Sequence, residues 1–217
     1  DDLTVQKRAN LLRVSLLRIH GGVWADSTVM CSQPLDTWLA EYASTGFFAF
    51  RISGRGRLMS NWFIAAEHDN PLLEELEAAY VDLFAGTHYT LQNTRLGDLI
   101  RRVLKPFLSS NVPMSRLWVS RRFRNLIRVY PYFNFHYCFN KIVLKDGVPC
   151  RIWNQGKPYR ASLPHRLQSL QRLPDGRAAA REFILSQQSP VHKLNWQLDV
   201  ESPYWHSVFE CFEQLRQ

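Results

Sequence analysis

Residues 21–28 read GGVWADST, with one carboxylate set directly behind a glycine pair and a short apolar run. In open α/β sheets, ligands sit outside the carboxyl ends of strands. Asp26 is expected at such an end. Asn10 and Arg13 stand three residues apart on the preceding helical segment, so they share a face. Arg13, one helix earlier, can reach the crevice that Asp26 faces. Thr28 follows two residues further on.

The elements that must position these groups follow from periodicity and breakers. Val5–His20 predicts a helix with Leu12, Leu16 and Ile19 on its apolar face, and Gly21 stops it. Residues 23–25 predict a short buried strand that Val29–Cys31 continues past the Asp. A short helix is expected in LDTWLAEY, a buried strand over 46–52, a tight basic turn at GRGR (54–57) and an apolar segment over 59–67. Pro71–Phe84 predicts a helix. From there the pattern is mainly helical, over 96–108, 116–130, 133–144, 163–170, 177–186 and 203–215. In 116–130, Val119, Phe123, Leu126, Ile127 and Tyr130 form one stripe, and four arginines lie largely off it. That is either a core helix with a charged outer face or a contact for anionic lipid headgroups.

The chain has 217 residues, 46% hydrophobic and 21% charged, which suits one sizeable core and excludes disorder for most of it. No run approaches the roughly 18 apolar residues of a membrane-spanning helix. Cys31, Cys138, Cys150 and Cys211 are scattered without a C-x-x-C. This argues against a zinc cluster or disulfide scaffold and for a reducing compartment. The net charge of +8 suits nucleic acid, an anionic membrane face or phosphate-bearing ligands. No nucleic-acid-binding signature accompanies it. The chain opens on Asp1 rather than Met and reads as a fragment.

The stretch ANLLRVSLLRIHGGVWADST resembles the nucleotide-sugar site of capsular polysaccharide synthesis proteins, which are similar to the DxD-containing glycosyltransferases of the GT-A fold. That group runs Ser/Ala-Asp-x-x-Arg, a helix, then Gly-Gly-x-Tyr/Trp-x-Asp-x-Asp/Thr. Ala9, Arg13, Gly21, Gly22, Trp24, Asp26 and Thr28 match. The segments CSQPLDTWL, MSNWFIAAEHDNPLLEEL, YFNFHYCF, SLPHRL and SPVHKLNW are also similar to family segments, so the resemblance spans most of the chain. Two positions depart. Asn10 replaces the family's Asp, and Thr28 stands where a full Asp-x-Asp has its second acid.

The resemblance implies an α/β fold: a GT-A-like nucleotide-sugar-binding domain with a mostly helical C-terminal elaboration. Residues 1–217 form one domain, with 1–90 as the donor-binding part and 91–217 as the helical acceptor part. Nothing before Val5 supplies the opening strand of that fold, which is read as missing. The implied activity moves a sugar from a nucleotide-sugar donor to a glycan or lipid-linked acceptor in surface polysaccharide synthesis, keeping the anomeric configuration. Asn10, Arg13, Gly22, Trp24, Asp26, Asn61, His165 and Lys193 are the candidate donor contacts. Lys193 is the candidate for a donor phosphate, and Trp24 reads first as packing. Asp26 and His136 are the candidate catalytic groups, although His136 in YPYFNFHYCF is equally read as a core histidine. Asp26 and Thr28 would hold Mn²⁺ or Mg²⁺, with Thr28 the poorer ligand. The expected location is cytoplasmic, at the inner face of the membrane. A homologue that binds without transferring and a basic nucleic-acid-binding protein are the competing readings.

Overall fold

The computed structural model describes residues 4–52, 56–85 and 89–215. In chain order the elements are α1 (Val5–His20), β1 (Gly22–Ala25), β2 (Val29–Cys31), a 3-10 turn (Leu35–Thr37), α2 (Leu39–Tyr42), β3 (Phe47–Arg51), β4 (Met59–Ala66) and α3 (Pro71–Phe84). There follow α4 (Arg95–Leu108), α5 (Val112–Ser115), a second 3-10 turn (Arg116–Val119), α6 (Arg121–Ile127), α7 (Asn134–Val143) and α8 (Val148–Gln155). The chain closes with α9 (Arg166–Leu170), α10 (Gly176–Leu185), β5 (Val191–Lys193) and α11 (Pro203–Leu215). The fold is mixed α/β and 54% helical, so small sheets sit within a helical body.

Among the described residues the strands form two antiparallel sheets, one in the order β1-β4-β3 and one pairing β2 with β5. This corrects one expectation: Val29–Cys31 does not continue the strand before Asp26 but enters the other sheet. Asp26 follows Ala25 directly, at the carboxyl end of β1 as expected, where the chain passes from one antiparallel sheet to the other. β4 is central because it is buried on both faces. Ile64 and Ala66 join Phe47 and Ala49 in the largest core. Trp62, Phe63 and Ala65 face the other way into an aromatic cluster with Trp38, Phe48 and Phe50.

The largest core is built around α3 and α7 and draws residues from both sides of position 90. In α3, Leu72, Leu76, Tyr80 and Leu83 recur at helical spacing, and the Asn70 side chain caps the start by accepting from the Leu72 amide at 3.0 Å. A separate cluster joins α9, α10 and α11 around Trp205. The β2–β5 pairing ties that cluster to the N-terminal half.

α1 has the expected bounds but the opposite rotation. Leu12, Leu16 and Ile19 are exposed, while Lys7, Arg13, Val14 and Leu17 are buried. Its inner face packs on α3, β1 and β4. Ser15 and Arg18 both donate to the Glu77 carboxylate, Arg18 at 2.5 Å. The expected helix over 116–130 is also corrected. Ser120 is extended (ψ 135°) and Arg128 is left-handed (φ 52°), so the segment becomes a 3-10 turn and the short α6. Val119 and Ile127 are buried, and Leu126 is 77% exposed. Periodicity did not signal α5, α8 or β5, which are only four, eight and three residues long. Of the GRGR turn, residues 54 and 55 lie outside the described residues; Gly56 has φ +67°. The expectation of a missing opening strand concerns positions before Val5, and residues 1–3 also lie outside them.

Gly21 is the hinge from α1 into β1. Its φ is +66°, and a Cβ there would lie 2.8 Å from the His68 amide nitrogen and 3.2 Å from the Ala66 carbonyl oxygen. Gly21→Ala is expected to cost roughly 1–3 kcal/mol. Urea unfolding measures this as a lowered midpoint at unchanged slope.

Candidate functional site

Arg13 enters the interior from α1 with its side chain only 7% exposed. Its Nη2 donates to Asp26 Oδ1 at 3.3 Å, and its Nη1 donates to the Asn61 carbonyl on β4. Trp24 Nε1 donates to the same Asp26 oxygen at 3.1 Å, and the Trp24 ring lies 5.1 Å from the guanidinium. The Asp26 amide is anchored to the Trp62 carbonyl at 2.8 Å. Two side chains hold Oδ1 and a backbone bond anchors the residue, while Oδ2 points away from Arg13 and Trp24 with Lys193 Nζ at 4.0 Å. Asp26 is 31% exposed. Burial pushes the Arg13 guanidinium below its ordinary pKa, and Asp26 opposes that most strongly.

The polar contacts continue on both sides. The Asn61 amide donates to Asn10 Oδ1 at 3.0 Å, and the Asn10 amide donates to the Tyr80 hydroxyl at 3.4 Å. An amide at position 10 uses both an acceptor and a donor, which a carboxylate cannot do. Burial pushes the Tyr80 phenol upward. On the other side, Lys193 Nζ lies 4.0 Å from Asp26 Oδ2 and donates to the Thr28 hydroxyl and, at 3.1 Å, to the Leu194 carbonyl. Burial lowers the Lys193 pKa, and Asp26 counteracts it.

Asn10, Arg13, Asp26 and Asn61 border a cleft of about 1370 Å³. Lys7, Arg13, Arg51, Arg57, Arg101 and Arg160 line it, and Asp26 is the one carboxylate among the lining residues. Asn10, Asn61, His136 and His165 line the same cleft, so six of the expected site residues converge. Gly22, Trp24, Thr28 and Lys193 do not line it. Gly22 pairs with Ala66 at the far end of β1 with φ +92°, which makes its role one of chain direction. Trp24 positions Asp26 and packs on the core, so it is not a stacking surface for a ligand.

His136 is buried beside Phe133 and Phe135, with Nδ1 unpartnered. Burial, then Arg57 and Arg13, push its pKa down to about 3. At neutral pH the imidazole is uncharged, so it reaches the cleft as a neutral hydrogen-bonding group and not as a proton donor. His165 stands edge-on to Trp62 with centroids 5.6 Å apart, and burial lowers its pKa.

The residues foreseen for a metal do not fit a divalent cation as arranged. Asp26 Oδ1 is engaged by Arg13 and Trp24, and the Thr28 hydroxyl accepts from Lys193. A cation between them would sit against two like charges. Among the described residues no group of three or more His, Cys, Asp or Glu converges.

Arg160, Arg57 and Tyr80 were not legible in the sequence. Tyr80 hides in the apolar stripe of α3. Arg160 reaches the cleft because the Ala161 amide donates to the Arg51 carbonyl at 2.9 Å, a long-range contact with no local signal.

Residues 1–104, just under half of the chain, match a family model described as capsular polysaccharide synthesis protein. The match contains Asn10, Arg13, Asp26 and Asn61 and stops short of His136, His165 and Lys193. No curated protein and no solved structure gives a significant match.

Asp26→Ala leaves the buried Arg13 without its counter-charge and is expected to destabilise the fold by roughly 1–3 kcal/mol. Asp26→Asn, which keeps an acceptor for Trp24, loses less; chemical denaturation compares the two. A pH dependence also follows. His136 and His192 have folded pKa values of about 3 and about 4 against an ordinary 6.5. Below about 6.5 the unfolded chain binds protons that these folded histidines refuse, so stability falls as pH drops towards about 4. His136→Gln flattens that slope, read from unfolding free energies at stepped pH.

Proposed function

We propose that the chain is a glycosyltransferase that takes a nucleotide-sugar donor in this cleft and acts in capsular or other surface polysaccharide synthesis. The observation that carries the reading is the cleft's charge: six Lys and Arg side chains line it against one carboxylate, which one of the six, the buried Arg13, holds in place. A diphosphate and a sugar together demand that combination, cations for the phosphates and a fixed acceptor for hydroxyls. The volume exceeds that of usual small-molecule pockets, about 300–1,000 Å³, and leaves room for part of an acceptor. The family match over residues 1–104 supports the biological setting. The likeness to GT-A donor sites rests on the GGVWADST motif and not on sheet topology.

In this reading Asp26 Oδ2 accepts from a donor hydroxyl, while Asn10 and Asn61 orient the sugar. Arg160 and Arg57 face the diphosphate. The acceptor oxygen bonds to the anomeric carbon as the bond to the phosphate oxygen breaks. The electron pair leaves with the diphosphate, which takes the acceptor's proton. The cations stabilise the charge that develops there, and retention of configuration follows from attack on the leaving group's face. His136 contributes as a neutral hydrogen-bonding group. A second reading, donor binding without transfer, is favoured by the engagement of Asp26 Oδ1 in two contacts and by Asn10 in place of an acid.

Thermal unfolding with UDP-, GDP- and CMP-sugars, each with and without Mn²⁺, tests donor binding. At about 100 Kd, a true donor is expected to raise Tm by about 5–10 °C. Arg160→Ala, an exposed position, should weaken that shift without lowering the unliganded Tm. Absence of a shift with every donor overturns the reading. Release of free nucleotide in the presence of glycan or lipid-linked acceptors separates transfer from binding alone.

A further inference from the structure

One segment carries a net charge equal to that of the whole chain. Residues 95–128 hold nine of its 27 Lys and Arg and one of its 19 Asp and Glu, so the remaining residues carry 18 of each sign. The segment begins with α4, a helix whose apolar sector is wider than the core needs. Gly97 and Leu108 are buried, and Ile100 and Leu104 pack against the core. Beside that inner face runs a second stripe left in solvent: Leu96 (53%), Leu99 (53%), Val103 (54%) and Phe107 (65%). At about 100° per residue these four fall within roughly 80° of arc, with Arg95, Arg102 and Lys105 and one acid, Asp98, on the flank away from the core. α5 and the 3-10 turn after it pack beside α4 and expose Met114 and Leu117.

We propose that α4 lies in the surface of an anionic bilayer, with its exposed apolar stripe among the acyl chains and Arg95, Arg102 and Lys105 at the headgroups. The occupant follows from charge complementarity. Four large apolar side chains in a row offer nothing to a phosphate–sugar backbone, whereas a bilayer accepts the stripe and the cations together. Among the described residues no helix is long and apolar enough to cross a membrane, so the contact is along the surface. The contact belongs to α4 and not to the 116–130 segment as a single helix, because that segment is broken at Ser120 and buries Val119 and Ile127. This inference does not depend on the sugar donor.

Sedimentation with vesicles of phosphatidylcholine alone and with about a third phosphatidylglycerol tests it. The expected result is binding to the anionic vesicles, at least tenfold weaker to the neutral ones, and weakened by salt. Val103→Glu/Phe107→Glu, at exposed positions, should lower the partition coefficient at least tenfold with unchanged helical circular dichroism. Leu12→Glu on the exposed face of α1 should leave it unchanged. No binding to anionic vesicles, or full binding by the double variant, overturns the proposal. So does tighter binding of a single-stranded oligonucleotide that the double variant retains in full.

Discussion

A guanidinium buried to 7% exposure is the constraint around which the N-terminal half is arranged. It cannot remain in the interior without a carboxylate and a carbonyl to receive its protons. Asp26 and the Asn61 backbone meet that demand. The inward face of α1 carries Arg13 and Lys7 beside Val14 and Leu17, and it leaves Leu12, Leu16 and Ile19 in solvent. To deliver Asp26, the chain reverses at Gly21 in a conformation closed to other residues and leaves β1 at the corner between two sheets. Pairing of β2 with β5 then brings Lys193 to the other side of the same carboxylate.

Asp26 is therefore held between two cations in a cleft whose other charges are also positive. Its electrostatic role is local. It compensates Arg13 enough for burial and presents a second oxygen of fixed direction. The lining of the cleft has an excess of basic side chains, and burial pushes the pKa values of His136 and His165 at its border downward. A ligand that satisfies both features carries negative charge at one part and hydroxyls at another.

Long, single-period segments were legible in the sequence. Val5–His20, Pro71–Phe84 and Pro203–Leu215 have the bounds that periodicity and breakers predict. Local motif reading also placed Asn10, Arg13, Asp26 and Asn61 at one cleft. What was not legible depends on partners distant in sequence. The rotation of α1 buries Val14 and Leu17 together with the Arg13–Asp26 ion pair, and the partner Asp26 lies outside the helix. The break at Ser120 arises because Val119 and Ile127 are buried from two separate short elements. The neutrality of His136 follows from surroundings supplied by Phe133, Phe135 and two arginines, and only the aromatic neighbours are visible in the local sequence.

Segregation of charge has a consequence of its own. Residues 1–94 carry a net −4, residues 95–128 a net +8 and residues 129–217 a net +4, an uneven distribution that gives the body an electric dipole. In the field of any charged surface such a body feels a torque before it touches anything, and it turns the same side forward each time. Arg101 of α4 also lines the cleft. Orientation by the field therefore fixes where the cleft's rim stands relative to that surface, while distance is still set by diffusion.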